Sequence, residues 1–273
     1  MPGWVIETGI EPEYESKLAA SAEALGWSVY APKFMPMDGG FEMLAATNGV
    51  YPMVFHGSLQ AVEMAREQGW TVYENADQLM CSFYYPRIRD RLLNRDHIFM
   101  PFGLLTAHKE MLFAALGEDG CLFVRPDSNR KLFSGQLLKR ETWDRDIELM
   151  GFYDDVVKPE TMVVVARPIN VEVEWRFFVA QGRVVTGSLY RRGYNHPREL
   201  ATADALRRGQ EFVDYCLEQK YEPDHVWVLD MCQTKAGNYH ILEVGSFSSA
   251  GLYACDTDLL VAEVNRVTEE ISP

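Results

Sequence analysis

No CxxC pair occurs among the five cysteines, Cys81, Cys121, Cys216, Cys232 and Cys255, which are scattered and odd in number. That excludes a disulfide framework and a zinc site of the usual spacing, and leaves reduced, mainly buried thiols as the expectation. GxxxxGK[ST] is absent from the whole chain, which argues against a Walker-type phosphate loop. No apolar run approaches the roughly 20 residues that span a bilayer. The opening MPGWVIETGIEPEYESK has acids where a signal peptide needs a basic start and an apolar core. The expectation is a soluble, cytoplasmic protein without a membrane partner. Basic charge is also scarce. With 26 Lys and Arg against 40 Asp and Glu, the formal net charge is -14, so no general basic surface exists to hold nucleic acid. Neither an internal repeat nor a low-complexity tract is present.

What the chain does have is 273 residues, 47% hydrophobic and 12% aromatic, enough for one large or two to three small domains with a sizeable core. The first third alternates short apolar runs with helical patterns. Trp4 to Ile6, Trp27 to Ala31, Met53 to Phe55 and Trp70 to Tyr73 read as strands, and Pro12 to Leu25 and Leu59 to Gln68 as helices, which predicts βαβ units and a parallel sheet. His56-Gly57-Ser58 opens the second helix, either with Ser58 as an ordinary N-cap or with exposed amides able to hold an anion. From Thr106 the texture changes. Helix Ala107 to Leu116 leads to strands at Cys121 to Val124, near Leu132 to Leu138 and at Met162 to Ala166. Two hairpins then flank a helix over Arg198 to Gln219, and a last helix lies near Asp258 to Glu270. Paired strands with helices between them predict α+β architecture here.

The second hairpin carries the most informative pair. Val226 to Met231 and Tyr239 to Val244 are strand-like around Lys235-Ala236-Gly237-Asn238. If the hairpin folds between Ala236 and Gly237, Asp230 and Glu243 stand opposite one another. Two bare carboxylates roughly 5 Å apart repel by about 3 kcal/mol at an effective dielectric of about 20. A divalent cation would offset that cost, and magnesium commonly takes one or two carboxylates plus substrate phosphates. Asp230 as the start of a turn, or a register slipped by one residue, is the plainer alternative.

The first hairpin, symmetric about Gln181-Gly182, aligns Glu172, Glu174 and Arg176 on one face, with Arg176 facing Gly187 and Glu172 facing Arg191. Either that face is wet or it lines a polar site. Arg125 and Lys131 lie in a polar loop after a strand. A planar guanidinium and a flexible ammonium suit a polyphosphate there, or decorate a plain surface turn.

These elements, taken in order, carry a resemblance. Arg125-Pro126-Asp127-Ser128, Lys131, Phe133-Ser134-Gly135, the strand ending at Ala166, Glu174-Trp175-Arg176-Phe177-Phe178-Val179, Gly187-Ser188, Tyr190-Arg191, Asp230 and finally Glu243 with Phe247-Ser248-Ser249-Ala250-Gly251-Leu252-Tyr253 resemble the ATP-grasp superfamily. More narrowly they resemble its phage-associated clade with an arginine and a lysine in the central loop. The motifs run from about residue 100 to 258.

The resemblance implies a mixed α/β and α+β chain. A βαβ pre-ATP-grasp domain would occupy residues 1–105, a small lobe with the phosphate loop 106–165, and a metal-bearing lobe 166–273. It implies ATP and magnesium, with Arg125 and Lys131 on the phosphates, the backbone of Val165, Ala166 and Pro168 at the adenine hinge, and Glu172 or Glu174 at the ribose or the site rim. Arg176 and Arg191 would face the transferred phosphate, and Asp230 and Glu243 would hold the metal. The activity implied is ligation of a carboxylate to an amine through an acyl phosphate, on a peptide or amino-acid substrate.

One departure stands out: the family usually follows the second acid with Xaa-Asn, whereas Val244-Gly245 follows Glu243. Ser246, Ser248 or water would have to replace the missing amide oxygen, and Asp256 is a spare acid or a helix start. Two rival readings are a nucleotide-binding or interaction module without turnover, and a glycosidase using carboxylates about 5 Å apart, which leaves the arginines without a task.

Overall fold

Alternation of apolar strands with helices in the N-terminal third produces a parallel sheet in the computed structural model, which describes residues 2–35, 40–41, 52–130, 132–151 and 157–272. Strand β1 (Gly3–Ile6) is buried along its whole length. Helix α1 (Pro12–Ala24) starts on a proline, whose missing amide costs nothing in a first turn. Gly26 then reverses the chain at φ +79°, a conformation that suits glycine. β2 (Ser28–Tyr30), the short antiparallel pair β3 (Phe34–Met35) and β4 (Gly40–Phe41), β5 (Met53–His56) and α2 (Val62–Glu67) follow. The order β2-β1-β5 is parallel, as the βαβ reading requires. Of Trp70 to Tyr73, expected as a strand, only a parallel bridge between Val54 and Thr71 forms. Ser58 is not an N-cap: α2 begins three residues past Leu59 with Ala61 at its cap, and the Ser58 amide is taken by the Glu7 carboxylate at 2.6 Å.

The middle segment contains α3 (Cys81–Ile88), β6 (His97–Pro101), α4 (Lys109–Leu116), β7 (Cys121–Pro126), β8 (Gln136–Lys139), α5 (Trp143–Gly151) and β9 (Met162–Ala166). Its sheet is antiparallel in the order β6-β9-β7-β8. The strand expected near Leu132 to Leu138 is shortened to β8. Helix α3 had no signal in the sequence, since its aromatics and internal Pro86 are poor helix formers; burial of Tyr84 and Tyr85 overrides propensity.

The last segment holds β10 (Val171–Ala180), β11 (Arg183–Arg192), β12 (Glu199–Leu200), α6 (Ala203–Glu218), β13 (Val226–Thr234), β14 (Tyr239–Ser246) and α7 (Thr257–Ile271). The sheet order is β12-β11-β10-β13-β14. Thr202 and Asp256 cap α6 and α7 by accepting the amides of Ala205 and Leu259 at 3.3 and 3.0 Å, so Asp256 is a helix start.

Two compact units result. One comprises Met1–Asn75, Glu172–Met231 and Glu243–Pro273, the other Ala76–Val171 and Cys232–Leu242. In the first, Phe247 stands edge-on to Trp4, Tyr73 and Phe178 at 6.1, 6.0 and 6.2 Å, and apolar residues of α1 and α7 complete the core. The second packs Leu112, Phe113, Leu122, Trp143, Val163 and Val165. Among the described residues, which include all five cysteines, no disulfide forms. No helix among them is long and apolar enough to cross a membrane.

Candidate functional site

Two irregularities in the β10–β11 ladder decide which charges meet. Near the turn Ala180 pairs with Arg183, as a symmetric hairpin requires, but the register shifts at Phe178/Val179 and again at Glu174/Trp175. The skipped residues, Val185 and Tyr190, both lie on β11. Arg176 therefore faces Ser188, not Gly187, and Arg191 faces Glu174, not Glu172. The expected pairing was wrong because each extra residue moves every later partner by one. Arg191 forms an ion pair with the buried Glu174, while Glu172 is exposed and accepts the Gly193 amide on its backbone oxygen at 2.6 Å.

At the centre of the first unit Arg176 grips Asp230 through two parallel hydrogen bonds, Nε to Oδ1 at 2.9 Å and Nη2 to Oδ2 at 2.7 Å. Their side chains are only 12% and 6% exposed. Nη1 donates to the Gly251 carbonyl at 3.2 Å. The bulge at Tyr190 turns its ring flat against Tyr253, with centroids 4.8 Å apart and planes 9° from parallel. The Arg176 guanidinium lies 5.7 and 5.1 Å from those two ring centres. Burial disfavours the charge on Arg176, but the Asp230 carboxylate outweighs it and holds the guanidinium more firmly protonated than usual. Burial, reinforced by Asp230 and Glu174, pushes the Tyr190 phenol well above its ordinary range, and burial also raises Tyr253. Both phenols stay protonated donors at neutral pH. Tyr190 and Tyr253 both fell within the quoted motifs, but nothing in their spacing announced the stack.

The hairpin carrying Asp230 and Glu243 is also less regular than expected. Its loop is Lys235-Ala236-Gly237: the Gly237 amide bonds the Thr234 carbonyl at 2.8 Å, the Thr234 amide bonds the Asn238 carbonyl at 2.9 Å, and Gly237 has φ +87°. This three-residue loop centres on Ala236 and by itself would set Asp230 opposite Leu242. Farther along, a Cβ on Gly245 would lie 3.9 Å from that of Val228, which fits the expected register. One extra residue on β14 therefore lies between, and the burial alternation breaks at Leu242 and Glu243, both half-buried. Ser246 and Ser248 are already engaged, bonding the Tyr73 carbonyl and amide at 3.2 and 2.9 Å. Neither is an idle replacement for the missing amide oxygen. No group of three or more His, Cys, Asp or Glu able to hold a metal occurs among the described residues.

In the second unit Arg125 sits within β7, opposite Val164 of β9, and not in a loop. Val165 and Ala166 are fully buried in β9, paired with β6 on one side and β7 on the other; Pro168 follows, half-buried, beyond the strand. Lys131 lies outside the described residues. A feature the sequence did not disclose anchors the turn after β7. Buried Asp127 accepts the Ser82 amide and hydroxyl at 2.6 and 2.7 Å, capping α3 from a distance.

Among curated proteins no sequence matches the chain. Solved structures share its fold at low identity. A D-cycloserine synthetase, DcsG, superposes with a TM-score of 0.67 at 10% identity, covering 98% of this chain and 100% of that one. The D-alanyl-alanine synthetase A of Vibrio cholerae O1 biovar eltor gives 0.62 at 14% identity, covering 99% and 98%. The ATP-grasp ligase PsnB, complexed with minimal precursor, Mg and ADP, gives 0.56 at 12% identity, covering 98% and 97%. The ATP-grasp domain, R-2-K clade family 2, matches residues 108–262, more than half of the chain and all of the Arg176, Arg191, Asp230 and Glu243 constellation. With that match and the ATP-grasp fold, the chain belongs to the ATP-grasp family, in its R-2-K clade.

Proposed function

We propose that the protein is an ATP- and magnesium-dependent ligase that joins a carboxylate to an amine on a peptide or amino-acid substrate. The observation that carries this is the buried, doubly hydrogen-bonded Arg176–Asp230 pair inside a chain of the ATP-grasp family. An ion pair so enclosed is a weak way to stabilise a fold, and its position in the family's motif gives it a chemical task.

The donor set fits magnesium. Asp230 and Glu243 would offer hard oxygen ligands, Asp230 through the lone pairs that its two bonds to Arg176 leave over, and this ion is usually held by one or two carboxylates with phosphates and water completing its shell. Bound ATP supplies the phosphoryl group that makes a carboxylate reactive toward an amine. The chain's own residues position groups and balance charge, which is most of what phosphoryl transfer asks of a protein. Arg176, fixed by Asp230 and the Gly251 carbonyl, presents a rigid positive charge. Arg191, paired with Glu174 and nearer the solvent, supplies a second. Arg125 and Lys131 would bind the phosphates and the segment Val165 to Pro168 the adenine, with Pro168 and the exposed residues after it doing what the doubly paired strand cannot. Arg125 and Lys131 also suit the narrower, phage-associated resemblance, and the cysteines a reducing cytoplasm.

The test is magnesium-dependent ADP release with pooled amino acids and short peptides. Arg176→Lys and Arg191→Ala should each lower turnover by about 10²-fold or more while ATP binding persists. Unchanged turnover in both removes these arginines from the mechanism. A second reading, a nucleotide-binding module without turnover, draws on Gly245 standing where the family has asparagine and on the engaged Ser246 and Ser248. No ADP release under any pairing of acid and amine, with ATP still bound, would favour it.

A further inference from the structure

A pocket of about 140 Å³ opens in the first unit beside Glu7, which follows β1, and His56-Gly57-Ser58, which ends β5. The chain runs from β1 to β2 on one side and places β5 on the other, so β1 is the point where strand order reverses. The crevice beyond the strand ends at such a point is where open α/β sheets bind ligands. Its capacity suits a molecule of a few heavy atoms, set against the roughly 30 Å³ that one water occupies in the liquid.

The polar lining has one sign. Glu7 is 6% exposed, its Oε2 accepts the Ser58 amide at 2.6 Å, and no Lys or Arg forms an ion pair with it among the described residues. Glu15 is different, its carboxylate taking the amides of Gly9, Ile10 and Glu11 at 3.1, 2.7 and 2.6 Å. Glu11 is bridged to Arg198 at 3.3 Å. Glu7, with one amide against the three on Glu15, is the least satisfied of these carboxylates, and it has no cation among the described residues. The Ser58 hydroxyl is buried with no hydrogen-bond partner. His56 bonds the Ala250 carbonyl through Nε2 at 3.1 Å, and a neutral ring donating there carries its lone pair on Nδ1. Gly57 is required by the arrangement, because a Cβ there would come within 2.6 Å of both Cβ and Oε2 of Glu7. A buried carboxylate, an orphan hydroxyl and an imidazole lone pair together lack three N–H donors on a positive centre.

We propose that this pocket binds a small primary ammonium, with Glu7 as its counter-ion and Ser58 and His56 as further acceptors. If the ligase reading holds, on which the ligand's fate alone rests, that ammonium belongs to the chain's own small amine or amino-acid substrate. Gly251 lines the pocket and also accepts from Arg176 at 3.2 Å, so the ligand is held one residue from the Arg176–Asp230 pair.

Titration calorimetry of the full-length protein without nucleotide tests this with methylammonium, ethylammonium and butylammonium, and with tetramethylammonium, which has no N–H. The primary amines should bind, and tetramethylammonium, with as many heavy atoms as butylammonium, should not. Glu7→Gln, whose amide oxygen can still take the Ser58 N–H, should weaken binding at least tenfold. Ser58→Ala, which deletes an atom with no partner and so leaves the fold intact, should weaken it several-fold. Absence of amine binding in the wild type, or equal affinity in both variants, overturns the proposal. The two readings fail separately: amine binding without ADP release in any pairing sinks the ligase and spares the pocket, whereas ADP release by a protein that binds no amine in the calorimeter does the reverse.

Discussion

At the residue scale, the ion pairs made by Arg176 and Arg191 differ in weight. Arg176→Ala strands Asp230 as a buried, unpaired carboxylate, and should cost about 3–5 kcal/mol in denaturant unfolding. Arg176→Ala with Asp230→Ala should cost less than the two single losses added together, because removing both partners removes the stranded charge. Arg191→Ala should cost less, since the Arg191 side chain is 38% exposed and its removal opens the buried Glu174 carboxylate to water. Glu174, Arg176 and Arg191 were legible as a polar face, and Asp230 as half of an acid pair. Their pairing was not, because a pattern of alternate residues reports the face and carries no record of an inserted residue.

His56 and Asp224 give the pH dependence. Burial pulls the His56 imidazole down from 6.5 to about 4. The folded state then resists a proton that the unfolded chain accepts, and up to about 3 kcal/mol of stability is lost as pH falls from 6.5 toward 4. Burial raises Asp224 from 3.8 to about 6, with the opposite sign: the folded state takes the proton first, and a similar amount is gained as pH falls from 6 toward 3.8. The two effects oppose each other in the wild type. The stability deficit of His56→Asn should therefore shrink by about 2–3 kcal/mol between pH 7 and pH 4.5, measured by urea unfolding. A deficit that stays constant over that range would show that the imidazole is not held neutral.

Among elements, the long regular ones were readable. β9, α6 and α7 lie within a few residues of expectation, and the parallel order of β2, β1 and β5 follows from the alternation of strand and helix. Helix α3 and strands β6 and β8 were hidden or misplaced, since their stability comes from contacts distant in sequence, such as Asp127 on the first turn of α3. Close packing around Phe177 gives this scale its prediction. A Cβ on Gly187 would meet the Phe177 ring at 2.5 Å and the Arg176 carbonyl at 2.8 Å. Gly187→Ala should cost about 1–3 kcal/mol by overpacking and loosen the bulged strand that presents Tyr190. Thermal unfolding would check the cost, and the near-ultraviolet spectrum of the tyrosines would report the change in the stack.

For the whole molecule, the family reading predicts a ligand-dependent stability. Saturating ATP with magnesium should raise the unfolding free energy by about 2.7 kcal/mol when free ligand is a hundredfold above Kd, and a chelator should abolish most of the rise. A melting temperature indifferent to ATP and magnesium would contradict nucleotide binding by this chain.

The order of motifs along the chain carried the ATP-grasp resemblance, and the hydrophobic period predicted the parallel βαβ start, because both are local properties of the sequence. Tertiary structure alone decided that Arg191 meets Glu174, that Tyr190 turns onto Tyr253, and that Glu7 and Ser58 share a pocket. Those outcomes depend on single-residue shifts between strands and on which carboxylate reaches which amide first, and both are settled only when distant segments pack.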